Sequence, residues 1–115
     1  MNINNLTIKA QEVLQSAMNL ARSDRNQAVE PLHMLDAIVA EDDSVGVFLL
    51  QKLGVNVGAL RSVLRQQVER LPKVEGGEVY FSRESSEAIQ KAGDFTKTFG
   101  DKYASVEHLL LGILT

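Results

Sequence analysis

Two ten-residue stretches constrain this chain more than any other feature: Glu30-Pro31-Leu32-His33-Met34-Leu35-Asp36-Ala37-Ile38-Val39 and Ser105-Val106-Glu107-His108-Leu109-Leu110-Leu111-Gly112-Ile113-Leu114. The only two histidines stand at the same place in both copies, which sets an offset of 108 − 33 = 75 residues. Carried backward, the offset pairs Leu6 with Phe81, Thr7 with Ser82, Glu12 with Glu87, Leu14 with Ile89 and Ala17 with Ala92. Carried forward, it pairs Leu35 with Leu110, Ile38 with Ile113 and Val39 with Leu114. A gapless register that matches apolar, polar and capping positions together is an internal repeat. Each stretch reads as a short helix. Pro31 suits a first helical turn because its missing N–H would be unbonded there, and Ser105 is a good N-cap. Beyond the caps the residues are apolar nearly all round, with Asp36 the main exception, so each helix must be wrapped by others.

The rest of the chain supplies the wrapping. Leu6, Ala10, Val13, Leu14, Ala17, Leu20 and Ala21 recur at helical spacing behind a Thr7 cap. Glu41-Asp42-Asp43-Ser44 breaks the pattern, and Asp43 or Ser44 can cap a helix whose apolar side is Val47, Phe48, Leu49, Leu50 and Leu53, with Gly54 as its left-handed C-terminal residue. Asn56 can cap a further helix bearing Val57, Leu60, Val63, Leu64 and Val68, which Leu71-Pro72 stops. Lys73 to Tyr80 contains Gly76-Gly77 and reads as a flexible or turned linker, anchored at its far end by Val79-Tyr80-Phe81. A second unit then opens with Ser82 as cap and Ala88, Ile89, Ala92, Phe95 and Phe99 as buried face, and Gly100-Asp101-Lys102 turns the chain into the second copy. The predicted organisation is one all-α domain: a four-helix repeat over residues 1–71, a linker over 72–80, and the first half of a second repeat over 81–115. Leu109 to Leu114 should be partly bare unless something covers them.

Composition narrows the function classes. The chain has 115 residues, a formal charge of −3 with scattered basic residues, and no cysteine. That leaves no electrostatic footprint for nucleic acid, no disulfide and no thiol chemistry. Met1 to Leu6 lacks the basic and apolar regions of a signal peptide, and the apolar runs are far shorter than the ~20 residues that span a bilayer. The expectation is a cytoplasmic protein without membrane contact. No glycine is followed by lysine, so there is no phosphate-binding loop, and neither a zinc-type His-Glu-x-x-His helix nor a Gly-x-Ser-x-Gly elbow occurs. The two histidines admit a metal reading, but without cysteines or matching carboxylates the physical reading is a first-turn histidine bonded to a neighbouring turn or backbone group. Glu41-Asp42-Asp43 lacks the alternation of a calcium loop and reads as a solvated turn beside a helix N-terminus. Asp101 and Glu107 read either as turn and first-turn acids or as the polar rim of a groove between the repeats. Thr7 reads as an N-cap and Ile89 as core.

At this point the residues carry a resemblance. Thr7-Ile8-Lys9-Ala10-Gln11-Glu12-Val13-Leu14, Val29-Glu30-Pro31-Leu32-His33-Met34-Leu35, and Gly100-Asp101-Lys102-Tyr103-Ala104-Ser105-Val106-Glu107-His108 resemble the Clp amino-terminal repeat domain. Leu71-Pro72-Lys73-Val74-Glu75-Gly76-Gly77 and Val79-Tyr80-Phe81-Ser82 are similar to the branch found in ring-forming AAA+ disaggregases. The resemblance implies two four-helix repeats related by a pseudo-two-fold axis, the second incomplete here. It implies a non-enzymatic module without metal or cofactor, tethered to modules that use ATP and Mg. The implied partners are unfolded or aggregated polypeptide and the rest of the hexamer. Thr7, Asp101 and Glu107 match positions tied to substrate handling, and Ile89 and His108 match positions of a nearby apolar groove. The alternative is an adaptor- or phosphoarginine-binding domain of a protease-linked relative. That branch carries an acid directly before both histidines, where this chain has Glu107 but Leu32.

Overall fold

The computed structural model describes residues 5–41 and 44–115. Helix α1 (Ile8–Ser23) begins after Thr7, its N-cap, because Thr7 Oγ1 accepts the Ala10 amide at 3.1 Å and satisfies a first-turn donor. Ala10, Leu14, Ala17 and Ala21 form its buried stripe. Helix α2 (Pro31–Ile38) follows, then α3 (Val45–Lys52), capped by Ser44 Oγ on the Val47 amide at 3.2 Å. Asp42 and the alternative cap Asp43 lie outside the described residues. Asn56 caps α4 (Val57–Glu69) and Ser82 caps α5 (Arg83–Phe99). Gly100 closes α5 in the left-handed region at φ 72°, and α6 (Val106–Leu114) completes the second unit's pair.

The units are tied together by contacts too short to show as strands in a hydropathy pattern. β1 (Ala28–Val29) and β2 (Tyr80–Phe81) pair in parallel, Ala28 opposite Tyr80 and Val29 opposite Phe81, and the Ser82 amide donates to the Val29 carbonyl at 3.0 Å. At the other junction Leu6 bridges Ala104, and the Thr7 amide donates to the Ala104 carbonyl at 2.9 Å. Under the 75-residue offset these are one contact with the units exchanged, as a pseudo-two-fold relation requires. The far end of the segment read as a linker is thus held by backbone pairing and by Val79 and Phe81 packed against the core, while Tyr80 is 56% exposed. It is also tied at its start, where the Val74 amide and Lys73 Nζ donate to the Arg25 and Asp24 carbonyls, each at 2.8 Å.

One expectation about the core is corrected. Phe48, Leu53, Val63 and Phe99, placed on buried faces by periodicity, are 54%, 73%, 50% and 59% exposed. Helices α3 and α4 bury only narrow stripes (Gly46, Val47 and Leu50; Val57, Leu64 and Val68), and Phe99 sits at the open end of α5, stacked on Phe95 at 6.1 Å. The stretch expected to be partly bare unless covered is covered in part: Leu109 and Leu110 are buried, Leu111 and Ile113 are half-buried, and Leu114 is 56% exposed. Helix α6 packs on α5 and also on α1, α2 and α3, so the first unit supplies part of the cover, and of the large apolar side chains of α6 only Leu114 is mostly exposed. Among the described residues no single helix is long and apolar enough to cross a membrane.

Candidate functional site

The two histidines do the same structural work. Each occupies the third position of its helix and turns its ring back to the N-cap: the Glu30 amide donates to His33 Nδ1, and the Ser105 amide to His108 Nδ1, both at 2.9 Å. Imidazole therefore fills the role that glutamate or glutamine has in a capping box. Because Nδ1 accepts, the proton resides on Nε2, which donates to Asn26 Oδ1 at 3.0 Å in the first unit and to Asp101 Oδ2 at 2.9 Å in the second. Asn26 and Asp101 are themselves related by the offset. Asn26 is buried and passes the link on, its Nδ2 donating to the Pro72 carbonyl at 3.1 Å, whereas the Asp101 carboxylate is half exposed. Burial lowers the His33 pKa below 6.5, partly offset by Asp24, Glu30 and Asp36. Burial also raises that of Asp36 above 3.8, against the pull of Arg65. Arg65 spans this face, 2.8 Å from Asp24 and 3.3 Å from Asp36, and its own pKa is raised chiefly by the hydrogen bond to Asp24.

A groove of about 570 Å³ opens between the start of α1, the α2–α3 corner and the start of α6. Val13, Ala37, Ile38, Val45 and Val106 give it apolar walls, and Thr7, Lys9, Glu12, Glu41 and Glu107 its polar rim. Thr7 and Glu107, far apart in sequence, line this one groove. Asp101 and His108 do not line it; they are bonded to each other, and through the capping box they fix the α6 N-terminus that carries Ser105 and Glu107. Ile89 is elsewhere: at 5% exposure it belongs to the core and does not line the groove. Sequence reasoning missed Ile38, Val45 and Val106. The groove's three N-caps, Thr7, Ser44 and Ser105, were each readable, but their convergence depends on how the units dock, which no local period reports. Among the described residues, no three histidine or acidic groups converge as a metal site.

Among the described residues, six helices in two offset-related units, crossed by reciprocal backbone pairing, define a paired-repeat helical domain with a groove where the units meet. The chain belongs to the Clp repeat (R) N-terminal domain family, whose model matches residues 5–115. It is 49% identical over 115 residues to the chaperone protein ClpB of Bacteroides thetaiotaomicron, covering 100% of this chain and 13% of that protein. It is thus a ClpB-type N-terminal domain and spans about an eighth of the relative's length. Among solved structures, the Hsp104 N-terminal domain from Candida albicans superposes with a TM-score of 0.86 at 21% identity, over 96% of this chain and 73% of that one. A ClpV N-domain solved in complex with a VipB peptide gives 0.84 at 18% identity, over 97% and 69%. These two likenesses are of fold.

Proposed function

We propose that this domain is a non-enzymatic polypeptide-binding module of a ClpB-type disaggregase, engaging unfolded or aggregated chains through the groove between its repeats. The observation that carries the reading is the union in one groove of apolar walls with Thr7 and Glu107 on the rim. Such a surface takes exposed hydrophobic stretches weakly and without a sequence code, which is what a scanning module needs. The ClpV N-domain seen with a VipB peptide supports a peptide-binding use of this fold. In this reading Asp101 and His108 act by positioning the α6 N-terminus, not by contact. The parent is then a cytoplasmic hexamer whose ATP and Mg chemistry lies outside this chain. A double acidic site of the phosphoarginine type is disfavoured by Leu32.

The test is a two-dimensional NMR titration with an unfolded model polypeptide. Val45→Asp places a charge in an apolar wall at a helix N-terminus that tolerates acids, and should weaken binding about tenfold without loss of fold. Glu107→Ala should weaken it about two- to five-fold, the worth of an exposed rim contact. Thr7→Ser keeps the cap and Thr7→Ala removes it at about 1 kcal/mol, so comparing the two separates binding from helix stability. Unchanged affinity in Val45→Asp and Glu107→Ala sinks the groove as the site.

A further inference from the structure

The offset that relates the two units also relates two surface cavities. A smaller hollow of about 300 Å³ lies between the start of α2 and the far part of α6. Its apolar wall includes Leu32, Leu35, Leu71 and Ile113, and its only charges are Glu30 and Glu84. Shifted by 75 residues, Glu30, Leu32, Glu84 and Ile113 fall on Ser105, Glu107, Lys9 and Ile38 of the larger groove. The agreement has a structural cause. In the larger groove the start of α1 and the end of α2 face the start of α6; in the smaller, the start of α5 and the end of α6 face the start of α2. The pseudo-two-fold relation that swaps the backbone crossings swaps these walls as well.

The substitutions between the copies change what the second hollow can hold. Leu32 stands where the first has Glu107, so the wall is more apolar. Glu84 stands where the first has Lys9, so no cation lines it. Glu30 is the N-cap of α2, its side chain accepting the His33 amide, and its Oε1 is buried with no hydrogen-bond partner among the described residues. A buried carboxylate oxygen without a donor is costly, and a ligand that brings an N–H to it relieves that cost while its apolar part covers the leucines. From this we infer a second, repeat-related polypeptide site. It takes an apolar side chain flanked by lysine or arginine, the cation meeting Glu30 and Glu84. The inference rests on the larger groove being a polypeptide site.

An NMR titration of the 115-residue chain with an unstructured peptide of alternating leucines and lysines separates the two ideas. The expected result is two clusters of shifts, one around Thr7, Val45 and Glu107 and one around Leu35, Leu71 and Ile113. Combining Leu71→Ser with Glu84→Lys, both outside the larger groove, should weaken the second cluster's response about five-fold or more and leave the first unchanged. A peptide with glutamate for every lysine should lose the second cluster. If only the first cluster moves, the second site is wrong and the groove reading stands. If neither moves, the groove reading falls with it. A second cluster that persists through the double substitution, or binds the acidic peptide equally, overturns the location or the charge preference.

Discussion

Replacing Gly112 with alanine should destabilise the domain by about 1–3 kcal/mol, whereas the same change at Gly93 should stabilise it by about 0.5–1 kcal/mol. Both glycines are helical. Built onto Gly112, a Cβ runs into the Ala88 carbonyl oxygen and lies 3.2 Å from the Ala92 nitrogen and 3.3 Å from the Ala88 carbonyl carbon. These are backbone atoms of α5, so no side-chain rotation relieves the clash, and α6 must back away along its length. At Gly93 nothing lies within 4 Å of the new methyl, and alanine only removes backbone freedom from the unfolded chain. The first unit shows why the difference is local. Its counterpart of Gly112 is Ala37, so the first unit carries at the related position the methyl that the close approach of α6 to the α5 backbone excludes. Urea unfolding of the two variants beside the parent reads both signs. Equal stability of Gly112→Ala and the parent would mean that α5 and α6 approach less closely than these distances.

That pair also marks where sequence reading stops. Caps at Thr7, Ser44, Asn56, Ser82 and Ser105 were readable because a hydroxyl or amide side chain before an apolar run is a local signal, and each begins its helix. The repeat was readable because two histidines fixed its register. How the units dock was not. Which of two adjacent apolar residues faces inward on α3 and α4 depends on neighbours far along the chain, so Phe48, Leu53 and Val63 were placed inside and lie outside. The cover that α6 needs is likewise supplied from far along the chain, by α1, α2 and α3 of the other unit. For the site, Thr7 and Glu107 meet in one groove, but Ile89, next to the buried Ala88 on the same helix, points into the core. A residue's part in a groove between repeats is a property of the docking, and only the offset, applied to space and not to sequence alone, makes it visible.

His33→Ala should be the more damaging of the two histidine truncations, by roughly 2–4 kcal/mol, with His108→Ala costing less. His33 is fully buried, and its loss leaves the Glu30 amide and Asn26 without their ring partner in the chain of bonds that runs to the Pro72 carbonyl. His108 bonds an Asp101 carboxylate that water already reaches, so solvent replaces the missing partner. The same geometry sets the pH dependence. Burial holds the folded pKa of His33 below 6.5, and a second proton would place Nδ1–H against the Glu30 N–H. In acid the unfolded state therefore binds the proton first. His33's contribution is fully present above pH 6.5 and is lost as pH falls from 6.5 through its folded pKa. Asp36 runs the other way. Its pKa is raised above 3.8, so the native state takes up its proton first and the penalty for burying its charge is relieved as pH falls through that raised value. Urea midpoints measured across the interval just below pH 6.5 should fall in the parent and flatten in His33→Gln. Parallel curves for the two proteins would assign the acid sensitivity to some other group and leave His33 a cap alone.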